Sequence, residues 1–170
     1  MAYVYDKLYG ETPHALGQPT QIFVDFFERF EKTNLRVLDV GCGQGRDALF
    51  IARLGHNVVG VDASANGIRD MRACAKREGL SIEGSVQDIR SFIPSGLFDV
   101  ILIDRTLHML TRDERCSTLT RLLEHVETAG WILIADEASN IADFKAVFAG
   151  NGPSWSIELQ KKGYLFARRS

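Results

Sequence analysis

Val37-Leu38-Asp39-Val40-Gly41-Cys42-Gly43-Gln44-Gly45 joins a short apolar run, with an acid inside it, to three glycines at alternate positions. The run predicts a buried strand over residues 35–40 that ends in a turn. Glycines at 41, 43 and 45 let the backbone approach a ligand closely and accept positive φ. A helix follows over residues 44–54, with Ala48, Leu49, Ile51, Ala52 and Leu54 inward and Gly55 as its stop. The start of that helix offers unpaired N–H groups, which suit a carboxylate or a phosphate.

Working outward, residues 57–62 (Asn-Val-Val-Gly-Val-Asp) read as a second strand, and Ser64 caps a helix over 65–78 that Gly79 ends. Residues 80–86 form a weaker third strand. Phe98-Asp99-Val100-Ile101-Leu102-Ile103-Asp104 is a fourth, its near-continuous apolar run suiting a strand covered on both faces. Thr111-Arg112-Asp113-Glu114 is a capping box, and its helix is expected to reach Val126 with Leu119, Leu122 and Leu123 inward. A fifth strand over 130–136, a short helix near 140–149 and a closing hairpin around Lys161-Lys162-Gly163 complete the chain. Before the glycine turn, Ile22, Phe23, Phe26, Phe27 and Phe30 recur at helical spacing and predict a leading helix over 19–31. Residues 1–18, with Tyr3, Tyr5, Tyr9, Gly10, Pro13 and Gly17, read as an irregular arm whose tyrosines either anchor it or close over a ligand.

This alternation predicts an α/β fold: a three-layer, Rossmann-like, doubly wound sheet of seven strands, mostly parallel with a C-terminal antiparallel hairpin. One domain is expected over 1–170, made of the arm, the leading helix and a cofactor-binding core from 35 onward. The 170 residues are 45% hydrophobic and 25% charged, with a formal net charge of -2. That balance argues against a surface built to hold nucleic acid. Cys42, Cys74 and Cys116 are scattered and show no metal-ligand spacing, so reduced thiols in the cytoplasm, and no metal, are the expectation. No signal peptide, membrane segment or membrane partner is expected.

Ligands of such sheets bind beyond the carboxyl ends of the strands. Asp62 ends the second strand, where an acid can accept hydrogen bonds from both ribose hydroxyls of either a dinucleotide or S-adenosylmethionine. The dinucleotide fingerprint places its third glycine five residues after the first. Here Gly45 is four after Gly41, and position 46 is Arg. Asp39 would repel a pyrophosphate but attract an ammonium group, so a ligand with an amino-acid end fits better.

On these segments the chain resembles the class I S-adenosylmethionine-dependent methyltransferases. Residues 37–45 are similar to their first motif, residues 57–62 to their second, Gln87-Asp88-Ile89 to their adenine-binding segment, and residues 98–110 to their fourth strand and following loop. The resemblance implies cofactor contacts at Asp39, Gly41, Cys42, Gly43, Gly45, Arg46, Asp62, Ala63, Asp88, Ile89 and Asp104. Asp62 would hold the ribose, Asp88 the adenine amino group, and Ile89 would lie against the ring. A narrower resemblance, carried by Tyr9-Gly10-Glu11-Thr12-Pro13-His14 and Gly45-Arg46-Asp47-Ala48, is to the small tellurite-resistance and thiol-type methyltransferases. It implies a small-molecule acceptor such as a thiol or a metalloid oxyanion. Asp104-Arg105-Thr106-Leu107 is not the Asn/Asp-Pro-Pro-Tyr/Phe of amino-directed DNA methyltransferases, which speaks against a nucleic-acid acceptor.

A general base is needed only if the acceptor arrives protonated. His108, after the fourth strand, is the catalytic candidate; Tyr9, His14, Arg105 and His108 are the substrate candidates. Asp136 and Glu137 either meet a cationic acceptor or cap the next helix. Cys42 reads as packing, and His56 and His125 as structural. Residues 138–153 are short where many members of the resembled family carry a substrate-covering insertion, which implies a compact or open acceptor site, or one covered by the arm or by a second subunit of a homodimer. Competing readings are a non-catalytic S-adenosylmethionine-binding regulatory module and a nicotinamide-dependent oxidoreductase, the latter disfavoured by the glycine spacing.

Overall fold

Val37, Leu38, Asp39 and Val40 are all buried in the computed structural model. A strand covered on both faces shows this unbroken pattern. The structure describes residues 2–152 and 154–170, with backbone alone at residues 2 and 3, so the Tyr3 side chain lies outside the described residues. The chain divides into two units, residues 1–88 and residues 89–170.

The first unit contains α1 (Ala2–Glu11), α2 (Gln21–Glu28), β1 (Arg36–Val40), α3 (Arg46–Arg53), β2 (Asn57–Asp62), α4 (Ala65–Glu78) and β3 (Ile82–Val86). β2 lies between β1 and β3, parallel to both; Val40 is level with Val61, and Asp62 with Val86. β3 is only partly buried, which is why its pattern is weak in the sequence. Both expected caps of α4 are present: the Ser64 hydroxyl accepts from the Gly67 N–H, and Gly79 ends the helix at φ 67°. In α2 only Phe23 and Phe27 reach the core; Ile22, Phe26 and Phe30 are half-buried.

The expected irregular arm is a correction. Residues 2–11 form α1, and only residues 13–16 are turn. Tyrosines, Gly10 and Pro13 suggested loop, because α1 is too short to be stable alone and its helix depends on docking to α4.

The second unit contains β4 (Phe98–Asp104), a 3-10 turn (Leu107–Met109), α5 (Arg112–Leu123), β5 (Val126–Ala135), a 3-10 turn (Ala138–Asn140), α6 (Ile141–Gly150), β6 (Trp155–Lys161) and β7 (Tyr164–Arg169). β4 and β5 are parallel; β7 is antiparallel to both β5 and β6. The capping box at Thr111 and Glu114 is formed reciprocally. α5 stops at Leu123 rather than Val126, which opens β5 and pairs with Phe98. Between that pair and Val100–Trp131 the register shifts, and Ala129 takes φ 60°, so β5 begins before the Gly130 suggested by sequence. The hairpin turn is anchored: Asp136 N–H donates to the Gly163 carbonyl, and a Cβ on Gly163 would collide with the Asp136 carbonyl oxygen.

The fold class is therefore the expected one, a Rossmann-like α/β fold with a seven-stranded mixed sheet, mostly parallel and closed by antiparallel strands. Among the described residues, no helix is long and apolar enough to cross a membrane.

Candidate cofactor and acceptor sites

The glycine turn is pinned to the end of β2. Gly41 and Cys42 N–H groups both donate to the Val61 carbonyl, at 2.8 and 3.1 Å. Gly41, Gly43 and Gly45 all take positive φ. At Gly43 and Gly45, side chains of this same unit fill the space that the missing Cβ atoms leave. A Cβ on Gly43 would stand 2.6 Å from the Tyr9 hydroxyl, and one on Gly45 would stand 2.5 Å from Met71 Cγ. Close approach at Gly45 thus serves helix packing, while at Gly43 it admits Tyr9.

Asp62 braces this turn. Its Oδ2 accepts from Gly43 N–H at 2.9 Å and its Oδ1 from Ser64 N–H at 2.7 Å. A carboxylate has about four lone-pair sites, so both oxygens keep capacity for ribose hydroxyls. Burial pushes the Asp62 carboxyl upward, opposed by the Ser64 and Gly43 N–H groups. Asp39 is 3% exposed, and both carboxylates act on Cys42. Burial above all, then Asp39 and Asp62, push the Cys42 thiol well above its ordinary value, so it stays a protonated packing residue. Asp88 is exposed in the loop after β3, where Gln87 N–H donates to the Asp62 carbonyl; Ala63 is exposed as well.

Arg46, a candidate for the cofactor, is engaged locally. Its Nε and Nη2 donate to Asp47 Oδ2 at 3.1 and 2.7 Å, while Asp47 Oδ1 accepts from Thr20 N–H. The surroundings of the turn are therefore anionic, with Asp39 and Asp62 flanking it. A pyrophosphate would be repelled there, whereas a ligand bearing an ammonium and a sulfonium is attracted. The donor set fits S-adenosylmethionine: carboxylates for a diol and an ammonium, with a phenol beside them.

Tyr9 is 5% exposed, and burial followed by the nearby Asp62 pushes its phenol upward, so it remains a proton donor. α1, which carries it, docks through Asp6. Asp6 Oδ1 accepts from the Ser64 hydroxyl at 2.7 Å and Asn66 N–H at 2.9 Å, and Oδ2 accepts from Asn66 Nδ2 at 3.0 Å. The carboxylate thus sits at the start of α4, where a helix favours negative charge. Sequence reasoning missed Asp6, because its partners lie about sixty positions away. Tyr9 is brought to the glycine turn; His14, at φ 52°, is exposed in the turn after α1.

In the second unit, the Asp104 side chain is 5% exposed and lies 3.9 Å from Arg105 Nε. Arg105 is exposed at φ 49°, with its N–H donating to the Ala135 carbonyl. His108 is half-buried in the 3-10 turn, and its backbone N–H donates to Asp136 Oδ2 at 3.0 Å. Asp136 Oδ1 accepts from Glu137 N–H and Asn140 Nδ2. Of the two roles open for Asp136, the hydrogen bonds assign the structural one; Glu137 is exposed. Ile89 is held by Arg121, whose guanidinium donates to the Ile89, Arg90 and Phe92 carbonyls, a clamp that only the fold reveals. His56 is buried and accepts from Leu35 N–H, and the His125 ring contacts the Gly96 carbonyl, both structural as expected.

A family model described as a methyltransferase domain matches residues 37–130. The chain belongs to the class I S-adenosylmethionine-dependent methyltransferases. The probable S-adenosyl-L-methionine-dependent methyltransferase TehB of Haemophilus influenzae (strain 10810) is 30% identical over 121 residues, covering 68% of this chain and 42% of its own. The 2-heptyl-1-hydroxyquinolin-4(1H)-one methyltransferase of Mycobacteroides abscessus is 36% identical over 104 residues, covering 60% and 45%. This methyltransferase chain spans less than half the length of those two relatives. The crystal structure of TehB from Haemophilus influenzae superposes with a TM-score of 0.68 at 21% identity, covering 89% of this chain and 61% of that one. That likeness supports the fold.

Proposed function

We propose that this chain transfers a methyl group from S-adenosylmethionine to a small-molecule nucleophile, a thiol or a metalloid oxyanion. The observation that carries the donor side is the glycine turn flanked by Asp39 and Asp62 and covered by Tyr9. When bound, S-adenosylmethionine supplies an electrophilic methyl on a sulfonium. Asp62 accepts the ribose hydroxyls, Asp39 attracts the ammonium, and Tyr9 keeps water from the turn. On the acceptor side, the exposed Arg105 guanidinium, held in a left-handed turn, draws an anionic nucleophile. A thiolate or oxyanion needs no base, whereas a neutral thiol gives its proton to the His108 imidazole. The resemblance of residues 9–14 and 45–48 to the tellurite-resistance and thiol-type methyltransferases supports the soft-acceptor reading. The unpaired cysteines Cys42, Cys74 and Cys116 support a reducing, cytoplasmic setting.

The test follows S-adenosylhomocysteine formation by the purified chain with tellurite, selenite, a small alkyl thiol and a hydroxyquinolone. Turnover of tellurite or the thiol supports the proposal. In that case His108→Ala should slow the thiol reaction most below the thiol pKa and leave the oxyanion reaction nearly unchanged. Binding of S-adenosylmethionine without turnover of any acceptor would overturn it in favour of a non-catalytic module.

A further inference from the structure

Besides the docking of α1 through Asp6, the segment that covers the glycine turn is held by a side chain from within the turn, Gln44. The two hydrogens of Gln44 Nε2 are shared among three acceptors: the Tyr9 carbonyl at 3.2 Å, the Thr12 carbonyl at 3.1 Å and Asp70 Oδ2 at 2.9 Å. Its Oε1 accepts from Ala15 N–H at 3.0 Å. These partners allow one orientation of the amide. Turned over, it would set its oxygen against a carboxylate and two carbonyls and its hydrogens against an N–H. Asp70 thereby fixes Gln44, and Gln44 fixes residues 9–15. Arg69 holds Asp70 in turn, through two bonds to Oδ1. Tyr9 is the residue within this segment whose side chain enters the turn, its hydroxyl standing over the missing Cβ of Gly43.

We propose that Gln44 is a positioning residue for the cofactor: it holds residues 9–15 so that Tyr9 closes the glycine turn around the amino-acid end of S-adenosylmethionine. It acts through Tyr9 and requires no contact of its own with the cofactor. The proposal rests on the cofactor assignment and is independent of which acceptor is used. It distinguishes Gln44 from the flanking glycines, which shape the turn, and from Asp62, which serves the ribose. It also gives the Gly-x-Gly-x-Gly pattern a side-chain component at a position where many residue types would fit the backbone.

Two ligands separate the ends of the cofactor. S-adenosylhomocysteine carries the amino-acid end; 5′-methylthioadenosine keeps the adenosine and the sulfur but lacks it. Calorimetric titration of both into the wild-type chain, Gln44→Glu, Asp70→Asn and Gln44→Glu/Asp70→Asn tests the idea. Gln44→Glu places an acceptor against Asp70 and two carbonyls. It should weaken S-adenosylhomocysteine about tenfold or more, equivalent to losing one to two net hydrogen bonds, and change methylthioadenosine by less than about twofold. Asp70→Asn supplies a donor to the glutamate but leaves the Tyr9 and Thr12 carbonyls facing an acceptor, so the double variant should recover only a minor part of the loss. Hydrogen exchange of residues 4–16 should accelerate in Gln44→Glu and stay faster than wild type in the double variant. Should Gln44→Glu not fold, Asp70→Asn alone should show the same ligand selectivity at smaller size. Equal losses for both ligands, no loss, or full recovery in the double variant, whose Tyr9 and Thr12 carbonyls stay without their donor from position 44, would each overturn the proposal. Failure of the wild-type chain to bind S-adenosylhomocysteine would instead overturn the cofactor assignment.

Discussion

Replacing Gly43 by alanine probes the fit between Tyr9 and the glycine turn. Gly43 has φ 53°, a left-handed conformation that costs an L-residue about 1–2 kcal/mol. The new Cβ would stand 2.6 Å from the Tyr9 hydroxyl, 3.0 Å from its Cζ and 3.2 Å from a ring carbon. Tyr9 is 5% exposed, so its ring cannot leave without giving up burial; large-to-small truncation of a buried aromatic costs roughly 3–5 kcal/mol. A small shift of α1 is the cheaper response, and overpacking of this kind costs about 1–3 kcal/mol. Gly43→Ala should therefore destabilise the chain by about 2–5 kcal/mol, lowering its melting temperature by roughly 4–20 °C. In a Tyr9→Ala background the steric part vanishes and only the backbone cost of about 1–2 kcal/mol remains. Urea denaturation of the four proteins gives the coupling, expected at about 1–3 kcal/mol. An equal cost of Gly43→Ala with and without Tyr9 would refute the account of the cradle.

Two further predictions concern the supports of the sites. The Asn66 N–H first, then the Ser64 hydroxyl, hold the Asp6 carboxyl below the usual carboxylate range. Because the folded value lies below the unfolded one, the stabilisation of α1 is complete above about pH 4 and is lost as pH falls through the folded value. NMR should show α1 undocking in acid, and Asp6→Asn should abolish that acid limb; α1 resonances unchanged down to pH 2 would contradict it. Asp136→Ala removes the acceptor of His108 N–H, Glu137 N–H and Asn140 Nδ2, so it should cost about 1–3 kcal/mol in urea and loosen residues 107–109 on the NMR timescale. Unchanged order at those residues would mean that Asp136 does not hold the turn bearing His108.

What could be read in the sequence was what is local. The glycine turn, the caps Ser64 and Gly79, the capping box at Thr111 and the hairpin at Lys162 all announce themselves within a few residues of the structure they form. β1 and β4 were legible because a strand covered on both faces must be apolar throughout. The helix α1 was hidden because what secures it is tertiary: Asp6 on Ser64 and Asn66, and the main chain of residues 9–15 on Gln44. The early start of β5 at Val126 was hidden by Ala129 and Gly130, which break the apolar pattern at a register shift. Asp62 illustrates partial legibility. Its place at the strand end follows from position alone, but its bracing of Gly43 and Ser64 follows from the fold. The tie between Arg46 and Asp47 was overlooked for a different reason, since adjacent charges on a helix are expected to diverge.

The docking of α1 also has a consequence for biosynthesis. Asp6 waits for Asn66, sixty positions later, and Gln44 is oriented by Asp70. At about 5–20 residues per second, ribosomal synthesis leaves α1 without its seat for roughly 3–12 s, plus the time for that seat to clear the exit tunnel. Of the helices described in its unit, α1 is thus made earliest and yet is among the last to be secured. During that interval Tyr9, later buried, is exposed to chaperones and proteases, and a nascent chain stalled before residue 66 would display it indefinitely.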